Sequence, residues 1–448
     1  METDLLIIGG SAAGLAAGIT ARRFHPDLKI TVIRREDKAL VPCGIPYVFG
    51  TLLSVDDDII PDEVLKKNQL DLLVDEVTSI DKAGRVAHTA GGEKIRYEKL
   101  ILAIGSEALI PPLEGVKLDN VFTAKKDPKY LQKLKKALEK ARNVVIIGGG
   151  FIGLEWADEL SKLKHLHSVS VVEMLPHCLL LACDSEICIK VEKELGEEGV
   201  SVFAERRAEA IQGKGRVESV ALDNGQHLEA DLVLLGIGVS PNVKLARDSG
   251  LEVDEKAGIE VDDYMRTSDP HILAAGDCTR KRCFLTGRTS ILRLASIATM
   301  EGRVAAGNLF RRTRRAPCPI GVFGTVIGNL AVGSAGFTER TAEQEGIDVV
   351  VGTASSVDKH PGTLPGAKEL TVKLIFTKHS RELIGGQVYG SDKAGYVANC
   401  IGSLIQQGMR ADEICVFQMG THPKLTPSPI AHQIENAAEI ALAKGLRE

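Results

Sequence analysis

Positions 4–10 of this chain read DLLIIGG, and positions 143–149 read NVVIIGG. Each run of branched apolar residues ends in paired glycines. Each then enters a stretch of small helix formers, SAAGLAAG at 11–18 and GFIGLEW at 150–156. A short unbroken apolar run bounded by glycine suits a strand buried on both faces. The glycines allow a tight strand-to-helix turn that aims backbone N–H groups and a helix N-terminus at a phosphate. Two such openings predict an α/β chain with two doubly wound domains, each with its own dinucleotide crevice.

The first turn has the spacing Gly9-x-Ser11-x-x-Gly14, with a small serine at the middle glycine position. The second, Gly148-x-Gly150-x-x-Gly153, is complete. The apolar strand at 168–172 that follows it ends in Glu173, where a carboxylate can hold a ribose 2′-hydroxyl. No arginine adjoins Glu173 in the chain to receive a 2′-phosphate, which favours NADH over NADPH. Two further segments, LILAIGS at 100–106 and TSDPHILAAGD at 267–277, each end a strand in a glycine. Either is compatible with a plain strand end, but Asp277 is also placed to accept from a ribityl hydroxyl.

Taken in order, these motifs and the stretch GIGVSPN at 236–242 resemble the pyridine nucleotide-disulfide oxidoreductases along essentially the whole chain. The resemblance implies an FAD-binding domain at 1–115 completed by 246–318, an NAD-binding domain at 116–245, and an α+β dimerisation domain at 319–448. It implies that Gly9, Gly10, Ser11, Ala12, Ala13 and Gly14 bind FAD, joined by Pro42, Val77, Ala103, Gly105, Gly276, Asp277 and Ala298. For NADH it implies Gly148, Gly150, Phe151, Ile152 and Gly153, with Glu173, Gly236 and Gly238. A homodimer is expected.

The segment VPCGIPYVFG at 41–50 is similar to the single-cysteine branch of that family: coenzyme A-disulfide reductases, NADH-dependent persulfide or polysulfide reductases, and NADH oxidases. The two-cysteine branch has a second cysteine five positions on, and here position 48 is Val. One redox sulfur, Cys43, therefore has to form a mixed disulfide, persulfide or sulfenate. A helix starting there would favour its thiolate. The opposing reading is a buried structural cysteine. Cys278 and Cys283 are read as a coincidental pair, and Cys178, Cys183 and Cys188 as packing residues with no zinc spacing.

Three departures from the family bear on function. After the strand at 30–33, where the family carries a carboxylate for the adenosine ribose, this chain has Arg34, Arg35 and Glu36. Either Glu36 reaches the ribose or Arg34 and Arg35 contact FAD. Coenzyme A-disulfide reductases place tyrosines in the stretches that here read DKHPG at 358–362 and MGTHPK at 419–424. The absence of those tyrosines moves weight from coenzyme A disulfide towards smaller sulfur substrates. His422 is either a proton donor to the redox sulfur of the other subunit or a surface-loop histidine. Arg22 and Arg23 either face a phosphorylated thiol or are exposed helix charges.

Composition excludes other classes. A net charge of −5 offers no basic field for nucleic acid, and Arg311, Arg312, Arg314 and Arg315 read as a solvated turn. No apolar stretch approaches the roughly 20 residues that span a bilayer. Nine scattered cysteines, and a first strand entered directly from Met1, fit a cytoplasmic protein. No rhodanese-like segment follows residue 448, so a separate sulfur carrier is expected in trans.

Overall fold

The computed structural model describes residues 1–52 and 54–446, so the last two positions of the expected 319–448 domain lie outside the described residues. The chain forms two compact units, each drawn from separate stretches. One comprises 1–112, 120–141 and 237–319; the other comprises 113–119, 142–236 and 320–448.

The first unit is built on a seven-stranded sheet. Strands Asp71–Val74, Ile30–Arg34, Glu2–Ile8 and Lys94–Leu102 run parallel in that order. The end of Lys94–Leu102 pairs in parallel with Ile272–Ala274, and its start pairs antiparallel with Val86–Thr89. The strand alternation divides the apolar residues between two faces. Leu5, Ile7, Ile101 and Leu273 join one buried cluster, and Leu6, Ile8, Leu100 and Ile272 join the other. Helices Ala12–Phe24 and Ala295–Gly307 cover the first face. They cross so closely that a Cβ on Gly302 would lie 2.4 Å from the Ala13 carbonyl oxygen.

In the second unit, strands Leu232–Leu235, Asn143–Ile147, Ser168–Val172 and Val200–Phe203 pair in parallel. A five-stranded antiparallel sheet follows, ordered Val322–Ile327, Leu330–Gly336, Leu383–Gly390, Glu369–Thr377, Val349–Val357. Helix Ala394–Gln406 packs on its first strands and Gln433–Gly445 on its last. This is the expected α/β architecture of two doubly wound sheets with an α+β C-terminal part.

A basic helix spans Pro128–Leu138, because Asp127 caps the N–H groups of Lys129 and Tyr130 and Pro128 occupies the first position. The arginine stretch at 311–315 is exposed, as expected of a solvated turn, and is also tethered. Arg315 pairs with Asp263, Arg312 lies over the Tyr264 ring and Arg314 over the Phe24 ring. Among the described residues no helix is long and apolar enough to cross a membrane.

Candidate active site

In the first unit, the glycine turn leaves no room for side chains. Gly9 has φ +119°, and a Cβ on it would lie 2.1 Å from the Ala103 carbonyl oxygen. A Cβ on Gly14 would lie 1.9 Å from the Gly9 carbonyl oxygen. Strand end and helix start therefore touch backbone to backbone. Ser11 caps helix Ala12–Phe24 without a side-chain hydrogen bond, so the helix presents its first N–H groups. Gly10 packs on the Arg34 side chain, and Gly276 sits between Ala13 and Ala298. Ser106 Oγ donates to Asp277 at 2.7 Å, just past Gly105, which has φ +68°. Gly9–Gly14, Ala103–Ser106, Gly276–Asp277 and Ala298 thus converge from four distant stretches. The turn and amide donors suit a pyrophosphate, and Asp277 suits a polyol.

Arg34 already has protein partners. Its guanidinium is taken up by Asp62, at 2.8 and 3.1 Å, and by the carbonyls of Glu36 and Asp37. It closes the loop over residues 34–37 and ties it to Asp62. Arg35 is exposed and pairs with Glu36 and Glu107. Arg22 donates to the carbonyls of Asn68, Pro26 and Gln69, so it is not an open phosphate site, while Arg23 is exposed. Val77 is buried in the strand Val77–Asp81, in the same apolar cluster as Ile8, the residue before the glycine turn.

Cys43 is exposed, in the first turn of the 3₁₀ helix Pro42–Phe49. Pro46 inside the segment and Gly44 disfavour a regular α-helix there. Gly44 packs on Asp58, whose Oδ1 would lie 1.9 Å from a Cβ at that position. Asp58 is 4% exposed and its Oδ2 has no hydrogen-bond partner among the described residues. Burial raises its carboxyl to about 6. Because that value lies above 3.8, the native state holds the proton more tightly, and stability falls as pH rises from 3.8 to about 6. Asp58→Asn is therefore expected to stabilise the protein at pH 7.5 by on the order of 2 kcal/mol, an advantage that disappears below about pH 4. Urea unfolding across that range checks it; a gain independent of pH would contradict the assignment.

Cys178, Cys183, Cys188 and Cys278 are buried and poor redox candidates, whereas Cys318 is exposed and Cys283, Cys400 and Cys415 are half-buried. None of the nine is in a disulfide. Burial pushes Cys188 up to about 12 and Cys278 to about 11, and moves Cys178 and Cys183 further in the same direction.

In the second unit, Gly148 has φ +111° and a Cβ on Gly153 would lie 1.9 Å from its carbonyl oxygen. Gly236 donates to the Ile147 carbonyl at 2.8 Å and packs on Gly153. Gly150 is open, with nothing within 4 Å of a Cβ. Phe151 begins helix Phe151–Ser161 and stacks on Phe323 at 5.1 Å between centroids, and Ile152 beside it is half-buried. The Glu173 carboxylate accepts from Gly149 N and Leu175 N, both at 2.7 Å, clamping the turn. Arg206 meets Glu173 through the backbone, its N–H donating to the Glu173 carbonyl at 3.0 Å, while its guanidinium donates to the Glu205 carbonyl. Gly238, with φ +100°, belongs to the first unit, where its carbonyl accepts from Leu109 N.

The loops at 358–362 and 419–424 meet: His360 N donates to the Pro423 carbonyl, and His360 Nδ1 lies 3.0 Å from the Thr426 carbonyl oxygen. His422 is exposed, and its Nδ1 accepts from Lys424 N at 3.3 Å, which leaves the proton of the neutral ring on Nε2. Glu155 escaped the sequence reading. Burial raises its carboxyl to about 7, against a hydrogen bond from Thr325 Oγ1 at 2.9 Å and with help from Asp158 and Glu159. A glutamate two residues past Gly153, on the buried side of an apolar helix, was the available signal.

Two glycine-turn crevices and an exposed cysteine in a helical turn define a dinucleotide-dependent thiol oxidoreductase. The comparisons agree. Residues 3–302 match the model for pyridine nucleotide-disulphide oxidoreductases and 322–430 that for their dimerisation domain. The chain belongs to the pyridine nucleotide-disulfide oxidoreductase family, and with it uses FAD and NAD(P)H. It is 33% identical over 450 residues to an NADH oxidase of Methanocaldococcus jannaschii, covering 98% of both chains. It is 32% identical to the NAD(P)H coenzyme A polysulfide/persulfide reductase of Pyrococcus horikoshii, over 88% of both. The structure of an NAD-dependent persulfide reductase from A. fulgidus superposes with TM-score 0.91 and 31% identity, covering 99% of this chain and 83% of that one.

Proposed function

We propose that this protein uses NADH to reduce a persulfide, polysulfide or small disulfide at Cys43. The observation that carries this reading is the exposed Cys43 in the first turn of a helix, in a chain where four of the other eight cysteines are buried. The Cys43 thiolate attacks one sulfur of R–S–S–R′ or R–S–SH, breaks the S–S bond and releases a thiolate or hydrosulfide. When bound, FAD relays the two electrons of the nicotinamide, which cleave the remaining S–S bond and return Cys43 to thiolate. His422, with its proton on Nε2, donates to the leaving thiolate, and the homodimer brings it to Cys43 of the partner subunit. Residues 1–115 and 246–318 hold FAD, 116–245 hold NADH and 319–448 dimerise.

The FAD contacts fall to Gly9–Gly14, Ala103, Gly105, Gly276, Asp277 and Ala298; the NADH contacts fall to Gly148–Gly153, Glu173 and Gly236. The carboxylate of Glu173 at the strand end supports NADH over a 2′-phosphorylated nucleotide. We place the protein in the cytoplasm, where nine cysteines stay reduced.

The similarity to the M. jannaschii enzyme supports a second reading, an NADH oxidase in which Cys43 cycles through a sulfenate and oxygen is the acceptor. Anaerobic NADH turnover against persulfide, polysulfide and coenzyme A disulfide, with oxygen as the control, separates the two. Fast sulfur turnover with slow oxygen uptake is expected; the reverse would establish the oxidase.

A further inference from the structure

Beneath the Gly276–Asp277 turn lies an ion pair shut off from water. The side chains of Lys281 and Glu301 are 0% and 5% exposed, with Nζ and Oε2 3.1 Å apart. Lys281 has three N–H donors and directs them to the Gly276 carbonyl at 2.7 Å, Thr279 Oγ1 at 2.9 Å and Glu301 Oε2. Glu301 Oε2 also accepts from Gly276 N at 2.8 Å and Thr279 Oγ1 at 2.9 Å. Both backbone polar groups of one glycine are thus bound to the two members of a buried pair. Gly276 has φ +89°, and a Cβ there would lie 2.8 Å from that of Ala13. The Gly276 carbonyl also accepts from Thr279 N at 3.0 Å, so Lys281 reinforces a turn hydrogen bond while Glu301 takes up the Gly276 N–H. The next side chain, Asp277, is 15% exposed and already accepts from Ser106.

Buried ion pairs contribute little net stability compared with well-packed apolar residues, so one enclosed under a turn calls for another explanation. We propose that Lys281 and Glu301 are positioning residues that lock the peptides around Gly276 and so hold the Asp277 carboxylate ready for the hydroxyl-bearing chain of FAD. This rests on the reading that Asp277 contacts FAD. Glu301 stands on helix Ala295–Gly307, which crosses Ala12–Phe24 through Gly302, so the same residue ties the turn to the glycine-turn helix.

The test titrates FAD into apo-protein and follows flavin fluorescence, with thermal unfolding of the apo form measured alongside. Lys281→Met and Glu301→Gln are each expected to lower both FAD affinity, by about tenfold, and apo stability. The double variant leaves no charge unpaired. It is expected to regain apo stability yet keep the weakened affinity, because the thioether introduced by Lys281→Met cannot donate to the Gly276 carbonyl. Wild-type affinity in the double variant would overturn the proposal and leave the pair a structural feature only. Asp277→Asn separates the underlying reading: weakened binding there with wild-type binding in the double variant rejects the pair alone. Unchanged binding in Asp277→Asn rejects both.

Discussion

Cys43→Ser lowers anaerobic turnover on persulfide and disulfide by at least about 10³-fold while the protein retains its flavin. The magnitude follows from removing the only nucleophile in the scheme. A serine hydroxyl is not ionised near neutral pH and cannot form the mixed disulfide, and loss of a nucleophile typically costs several orders of magnitude. Retention of FAD follows from the geometry: the contacts of the glycine turn run through Gly9, Gly14, Ala103 and Gly276, and none of them involves Cys43. Flavin absorbance after desalting and stopped-flow bleaching by NADH measure the two halves separately. Persistent sulfur turnover in the variant would remove Cys43 from the mechanism.

The second large effect concerns stability. Lys373, 6% exposed, is bound by three carboxylates: Asp184 at 2.8 Å, Glu339 at 2.5 Å, and Glu186. Asp184 is equally buried and also receives Gln387 Nε2 and Glu339 N. The ammonium fills the space that three acidic groups would otherwise leave open to a cation. Lys373→Met leaves Asp184 charged and buried, at an expected cost of about 3–5 kcal/mol. Trp156, the one tryptophan, is fully buried in the same unit, so its fluorescence in a urea titration reports the loss. Adding Asp184→Asn should return part of it. Burial pulls the Lys373 ammonium down, but its three carboxylate bonds outweigh this and hold it well above the ordinary value of 10.5. Its contribution is therefore complete below pH 10.5 and is lost as pH rises beyond that towards the folded value. A wild-type midpoint in Lys373→Met would show that the cluster does not hold the unit together.

Features set by neighbours in the chain were legible in advance. Both glycine turns, the strand Ser168–Val172 and the isolated Cys43 follow from short patterns of apolar, small and turn residues. Features set by distant charges were not. Arg34 reads as a cofactor contact until Asp62 is seen to take it, and nothing near Lys281 announces Glu301. Glu173 reads as a ribose ligand, whereas its oxygens also hold two backbone amides of its own turn. Periodicity reports which face is buried; it does not report which charge crosses the core to meet which.

The crossing of helices Ala12–Phe24 and Ala295–Gly307 also sets a timetable for synthesis. The N-terminal glycine turn emerges from the ribosome early, but Gly276, Ala298 and Gly302, which close over it, follow more than 250 residues later. At typical elongation rates that interval is roughly 15 to 60 s. During it the face of the sheet carrying Leu5, Ile7 and Ile101 lacks its second helix. The nascent chain therefore spends that interval with an unfinished nucleotide crevice.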